Sequence, residues 1–208
     1  RPQQPIRSAR ALCGGLVPAG CLMTHTQLLI AVILLQQLLF GAVWLGAARL
    51  RIARRAAGHW EWASWLTAGS MLLIMFRGQA SIWWTVVAAN VLLIAALVIL
   101  RRGIQVFARS RPSDTEHGLL LGGSGVGLAL CAALDSSMLV VMMLVSVTLA
   151  WTLLSAAGEV RRQLAAEFGA RAALICSLPL TVIGGLFALR TLAGPLAGEA
   201  LAPSISTA

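Results

Sequence analysis

The stretch NVLLIAALVILRRGIQVFARSRP, residues 90–112, is apolar up to Leu100 and then carries four arginines: Arg101, Arg102, Arg109 and Arg111. It could be a basic arm that binds nucleic acid or the end of a helix anchored at a membrane surface. The whole chain has 208 residues, of which 59% are hydrophobic and 11% are charged, and its mean hydropathy is +0.86. Because about a quarter of the residues of a soluble domain are charged, the composition indicates that most of this chain lies in lipid.

Six apolar runs are long enough to cross a bilayer, whose hydrocarbon core needs about 20 apolar residues in a helix. They lie at about 26–48, 62–77, 81–100, 118–134, 137–157 and 171–191. Membrane-spanning strands are excluded because the runs are too long and do not alternate between polar and apolar residues. The sequence therefore predicts an all-α fold, a polytopic transmembrane helical bundle of about six spans in which consecutive helices are antiparallel neighbours.

The arginines alternate from one connection to the next. Eleven of the sixteen lie in three predicted loops, 49–61, 101–117 and 158–171. The positive-inside rule places these loops in the cytoplasm, which predicts an outside N-terminus. Arg101 and Arg102 are then expected at headgroup level, facing anionic lipid of the bilayer. Nucleic acid is not an expected partner, because the basic residues have no aromatic stacking platform beside them.

The sequence also predicts how the chain is divided. Residues 1–22 are interpreted as a poorly ordered leader or upstream extension before Met23, with a signal peptide as the alternative. Residues 23–192 form the predicted transmembrane helical domain. Residues 193–208 resemble a linker of Gly, Pro, Ala and Ser, which is expected outside the cytoplasm and to lead toward a seventh span that this chain does not contain.

No pattern in the chain indicates catalysis or a cofactor. The four cysteines have no CxxC or CxxH spacing and the three histidines are far apart, so no metal site is expected. No paired carboxylates, Cys/His dyad or Ser/His/Asp arrangement is visible. The glycines of LLLGGSGVGLAL, residues 119–130, lack the strand and the GK[ST] of a phosphate loop. Their GxxxG pair, Gly123 and Gly127, instead predicts close helix packing within or between subunits. The sequence further predicts a homodimer that forms through helix packing of this kind.

Three further positions are candidates for a sensory or packing role. Asn90 lies in the middle of a predicted span, where an amide is expected to form an interhelical hydrogen bond; contact with a ligand is the alternative. Arg77, in MFRGQA, could snorkel to the membrane surface or bind an anion in an extracytoplasmic pocket. Trp62, in HWEWASW, is typical of an interfacial aromatic belt.

One pattern over residues 59–112 combines several of these positions: Trp62, the turn Arg77-Gly78, Asn90, the pair Gly103-Ile104, and Phe107. It resembles the multi-span membrane sensor region that precedes the GGDEF domain in many proteobacterial diguanylate cyclases. In that family a helix start with tryptophan is followed by an RG turn, a helix with a central Asn and a G-[LI]-x-x-F pattern at the cytoplasmic face. The resemblance is weaker from residue 113 to residue 190.

The resemblance implies a sensory and anchoring module in the bacterial inner (cytoplasmic) membrane. It also implies that the module regulates a C-terminal cyclase domain, which condenses two GTP into cyclic di-GMP with Mg²⁺. This chain contains no GGDEF or GGEEF sequence. Enzymatic activity is therefore expected of a longer parent protein and not of these residues. The sequence does not identify the stimulus that such a module would sense. The alternative function is a stand-alone small transporter or a membrane-complex subunit, for which Asn90 and Pro179 are the sequence features.

Overall fold

The computed structural model describes residues 25–111 and 113–194. These residues form six α-helices and no β-strand: α1 (His25–Arg49), α2 (Arg54–Met75), α3 (Ala89–Phe107), α4 (Asp114–Ala133), α5 (Met138–Phe168) and α6 (Ala170–Ala193). A π-helical turn, Trp83–Ala88, leads directly into α3. The all-α prediction is confirmed for this part of the chain. The predicted leader 1–22 and nearly all of the predicted linker 193–208 lie outside the described residues.

Five helical segments are both long and apolar enough to cross a membrane: Thr26–Arg49, Trp83–Phe107, Asp114–Ala133, Met138–Phe168 and Ala170–Ala193. They indicate a membrane protein. Among the described helices, α2 is not in this set of candidate spans. Its 22 residues include His59, Glu61 and two buried serines, Ser64 and Ser70. At 1.5 Å per residue α2 is about 33 Å long, so it has the length but not the apolarity of a span.

Consecutive helices pack antiparallel, because the connections between them are short. On one side of the bundle α1 lies against α2 and α2 against α3, while α5 and α6 form a second close pair. Contacts between α3 and α5 join the two sides, and α4 rests on both of these helices. The core lies where they meet, around Ile94 of α3, Leu128 of α4 and Leu149 of α5.

Helices extend through segments that the sequence predicted to be loops. α2 begins at Arg54, inside the predicted loop 49–61, and α5 continues to Phe168, so that Gly169 alone separates α5 from α6. Gly169 has a φ of 84°, in the left-handed region that glycine adopts most easily. The loop prediction was wrong because GEVRRQLAAEF, residues 158–168, is polar but rich in good helix formers. Falling hydropathy marks the edge of lipid and not the end of a helix.

Candidate functional site

A buried arginine links three helices at the arginine-rich end of the bundle. Arg101 of α3 is only 4% exposed. Its two terminal nitrogens lie 2.7 and 3.0 Å from the two carboxylate oxygens of Glu116 on α4. Its Nε and Nη2 also donate to Glu159 Oε1 on α5, at 3.1 and 2.7 Å. The planar guanidinium suits such bidentate pairing, so Arg101 ties α3 to both α4 and α5.

Two further side chains donate to the carboxylates of Glu116 and Glu159. Gln105 Nε2 lies 3.0 Å from Glu159 Oε1, and Trp151 Nε1 lies 2.8 Å from Glu116 Oε1. We call these five residues, Arg101, Gln105, Glu116, Trp151 and Glu159, the ion-pair cluster. It contains two carboxylates for one guanidinium. Glu159 Oε2 is buried and has no hydrogen-bond partner among the described residues.

The ion-pair cluster corrects the sequence prediction for Arg101, which expected the side chain at headgroup level against anionic lipid. Its negative partners are instead carboxylates of the protein. The neighbouring Arg102 is more exposed and pairs with Asp114, with Nη1 3.1 Å from Oδ1. One feature of the sequence could have indicated that Arg101 is paired. The chain contains only seven acidic residues, and an acid in an apolar helix needs a partner. Spacings of 15 and 58 residues do not reveal which arginine that partner is.

A cavity of about 780 Å³ lies beside the ion-pair cluster. We call it the inner groove. One end is charged and is lined by Arg101, Glu116, Trp151, Glu159 and Arg162, whereas the other is mainly apolar and includes Val147, Ala150, Leu154, Ala188 and Leu192. The groove follows α5 from its charged C-terminal half into the segment that is apolar enough to lie in a membrane. The inner groove is therefore amphipathic, with a polar mouth and an apolar interior.

A smaller cavity, of about 250 Å³, lies toward the opposite end of the bundle, and we call it the outer cavity. It brings together two of the predicted candidates, Arg77 and Asn90, and adds Arg190. Arg77 Nη2 lies 3.3 Å from Met138 Sδ, and burial lowers the pKa of the Arg77 guanidinium. The remaining lining is mostly apolar, so the outer cavity presents positive charge and one amide to any occupant.

Asn90 uses its amide differently from the prediction. Its Nδ2 donates to the carbonyl oxygen of Val86, at 2.7 Å, in the π-helical turn one helical turn earlier. The predicted interhelical hydrogen bond was therefore wrong for this donor. The side chain is half-buried and lines the outer cavity. π-helical turns occur frequently at functional sites, and this one directly precedes Asn90.

Gly103 and Phe107, two more of the predicted positions, meet at one tryptophan. A Cβ on Gly103 would lie 2.5 Å from Trp60 Nε1, closer than real Cβ atoms approach. The Trp60 ring lies 5.7 Å from the Phe107 ring and 4.7 Å from the Trp44 ring, measured between centroids. Gly103 therefore permits α3 to lie directly against α2 at this point. The sequence named Gly103 and Phe107 as candidates and assigned the tryptophans of HWEWASW, Trp60 among them, to an interfacial belt, so it did not predict that Trp60 joins Gly103 and Phe107.

The remaining candidates occupy different surroundings. Trp62 is 63% exposed and borders a cavity of about 530 Å³ near His59, Arg102 and His117. A Cβ on Gly127 would lie 2.8 Å from Leu144 Cδ2 of α5, whereas one on Gly123 would have nothing within 4 Å. Gly127 thus faces a helix of the same chain and Gly123 faces open space. The two glycines of the GxxxG pair do not share one packing surface within the chain.

Within residues 25–111 and 113–194, no group of three or more His, Cys, Asp or Glu side chains could hold a metal ion. No protein-family model, curated protein or solved structure matches the chain. Functional inference therefore depends on the ion-pair cluster and the two cavities beside α5.

Proposed function

We propose that this chain is a membrane-embedded sensory and anchoring module of a bacterial signalling protein. The observation that carries the proposal is that two helices connect the outer cavity with the ion-pair cluster. α3 contributes Asn90 to the cavity and Arg101 to the cluster, and α5 contributes Val145 and Glu159 in the same way. A change in the outer cavity can therefore alter the relative position of α3 and α5 at the other end.

The geometry of α3 supports this coupling. Asn90 and Arg101 are eleven residues apart, which corresponds to about 16 Å along the helix and to within about 20° of the same face. α3 is a regular α-helix over this length. A rigid helix transmits a tilt or shift along its whole length, and a buried ion pair changes partners in discrete steps rather than gradually. The ion-pair cluster is thus suited to two alternative packings.

We further propose that α2 crosses the membrane, which gives six crossings and an outside N-terminus. α2 lies against both α1 and α3, and its connections to them are short, 50–53 on one side and 76–82 on the other. If α1 and α3 cross the membrane in the same direction, the ends of α2 must lie at opposite membrane faces. This topology places Arg54, Arg102 and Arg162 on the cytoplasmic side, as the positive-inside rule requires.

The output that we propose is a GGDEF-type diguanylate cyclase domain on the parent protein, working as a homodimer. Support comes from the sequence pattern of Trp62, Arg77-Gly78, Asn90, Gly103-Ile104 and Phe107. The module would bias the spacing of two cytoplasmic domains and would itself make no nucleotide. We place it in the inner membrane, where such a domain can reach cytoplasmic GTP.

The coding sequence downstream of residue 208 tests the output, and a signalling assay tests the coupling. A further span followed by GGDEF is expected. In the full-length protein, Asn90→Leu should change cellular cyclic di-GMP, because it alters the outer cavity. Gly185→Leu is the matched control, since Gly185 is exposed on α6 and a Cβ there meets nothing within 4 Å. A downstream sequence without a signalling domain would reject the proposed output, and an unchanged cyclic di-GMP level in Asn90→Leu would reject the coupling.

A further inference from the structure

We propose that the inner groove binds one phospholipid whose headgroup carries a primary amine. The headgroup ammonium would donate to Glu159, the phosphate would lie against Arg162, and one acyl chain would follow α5 and α6. The inference depends on the bundle lying in a membrane. It is independent of the cyclase output, so either proposal can fail without the other.

The first step is the unbalanced charge of the ion-pair cluster. Glu116 and Glu159 carry two negative charges against the single positive charge of Arg101. Glu159 is 8% exposed, and its Oε2 has no hydrogen-bond partner among the described residues. A buried carboxylate oxygen is costly unless a donor satisfies it. Glu159 lines the inner groove, although its Oε2 is itself covered. A cationic donor in the groove would therefore supply the missing hydrogen bond and the missing charge once the Glu159 carboxylate rotates toward it.

The second step is the arginine at the mouth of the groove. Arg162 lies three residues after Glu159 on α5, which makes the two side chains neighbours on one helix face. Arg162 is exposed and lines the same groove. The mouth therefore offers an acceptor for an ammonium group next to a cation for a phosphate group. An aminophospholipid carries these two groups two carbon atoms apart, in the complementary arrangement.

The third step is the apolar part of the groove. From Glu159 to Val147 the groove follows α5 for about 18 Å, slightly more than the roughly 15 Å of hydrocarbon in one leaflet. Ala150, Gly158 and Ala188 contribute little or no side chain to this wall, which leaves room for a chain along α5 and beside α6. The charged end lies toward the arginine-rich end of the bundle, where headgroups of that leaflet would be.

The headgroup assignment can be tested on the purified chain in detergent by native mass spectrometry with three added lipids. Phosphatidylethanolamine has the amine, phosphatidylcholine replaces its N–H donors with methyl groups, and phosphatidylglycerol has no amine. We expect phosphatidylethanolamine to bind at least about tenfold more tightly than phosphatidylcholine, the factor for one charge-assisted hydrogen bond. Equal binding of these two lipids would overturn the assignment of the amine to Glu159.

The location of the site can be tested by filling the groove. Gly158→Leu places a side chain at the mouth, and a Cβ there meets nothing within 4 Å, so the helix itself is not disturbed. This variant should lose the bound lipid, whereas the control Gly185→Leu should keep it. Retention of phosphatidylethanolamine by Gly158→Leu at the unsubstituted level would place the lipid elsewhere, and retention of no lipid by any form would mean that water fills the groove.

A second variant keeps the test independent of Gly158. Arg162→Gln removes the proposed phosphate partner from an exposed position on α5 and is not expected to affect folding. This substitution should weaken the binding of phosphatidylethanolamine and of phosphatidylglycerol alike, because both lipids carry the phosphate. Unchanged affinity for both lipids would contradict the proposed phosphate contact.

Discussion

Arg101 of α3 and Glu159 of α5 form an ion pair at 2.7 Å, across 58 residues of sequence, in a place where the arginine is almost fully buried. The pair determines how the two halves of the bundle meet at the arginine-rich end, because α3 belongs to one half and α5 to the other. Under the proposed sensory function, the pair lies at the end of the bundle that faces the cytoplasmic domain.

Arg101→Leu is expected to destabilise the chain strongly. Removing the guanidinium leaves two carboxylates, on Glu116 and Glu159, close together and without their cation, and breaking a buried pair in this way costs about 3–5 kcal/mol. The free energy of unfolding in detergent measures the effect. Arg102→Leu is the matched control, since the exposed pair between Arg102 and Asp114 should contribute at most about 1 kcal/mol. Equal losses in the two variants would contradict the distinct role of Arg101.

Gly103→Ala should push α3 away from α2. The added methyl group would collide with the indole of Trp60, and overpacking of this kind typically costs about 1–3 kcal/mol. Thermal unfolding of the purified chain measures the loss. Gly46→Ala on α1 is the control: a Cβ there meets nothing within 4 Å, and alanine is the better helix former by about 0.5–1 kcal/mol. A Gly103→Ala chain as stable as Gly46→Ala would show that α2 and α3 are not in close contact.

The two glycines of the GxxxG pair should respond differently to the same substitution. Gly127→Leu is expected to destabilise the chain, because a side chain there meets Leu144 of α5, whereas Gly123→Leu points into open space. If the parent dimerises through this face of α4, Gly123→Leu should lower the dimer fraction without lowering the melting temperature. Cross-linking yield and thermal unfolding separate the two effects. Equal destabilisation by both substitutions would contradict the orientation of α4.

Asn90→Leu is expected to have a small effect on stability. The amide donates to Val86 in its own helical segment, so its loss removes this local hydrogen bond and not one between helices. A change of about 0.5–1.5 kcal/mol follows for a single hydrogen bond. Thermal unfolding measures it. A loss above about 2 kcal/mol would indicate that Asn90 holds two helices together, as the sequence alone had predicted.

The sequence predicted the helices well and their ends poorly, for a physical reason. Apolar runs such as 81–100 and 171–191 identify helix because lipid requires every backbone group to be bonded within the segment. At Arg54 and at Phe168 the chain has left the apolar region but still has good helix formers, so α2 and α5 extend further than their hydropathy indicates.

The candidate site was only partly predictable. Arg77 and Asn90 were singled out because polar groups are rare in apolar helices, and both line the outer cavity. The pairing of Arg101 with Glu159 was missed because it depends on which face of α3 meets α5. That contact is made by residues far apart in the chain, and no local pattern encodes it.

The number and direction of the crossings can be tested with reporter fusions, and α2 decides the outcome. Fusions after Arg55, Arg109 and Arg162 should all report the cytoplasm, and one after Gly78 the outside, because α2 begins near Arg55 and ends before Gly78. If α2 instead lies along the membrane surface, Gly78 would report the same side as Arg55, and Arg109, after one further crossing, would report the opposite side. Fusion at Asp135, in the turn between α4 and α5, is the control, since it must lie opposite to Arg162 in either topology. The sides reported at Gly78 and Arg109 therefore distinguish six crossings from five.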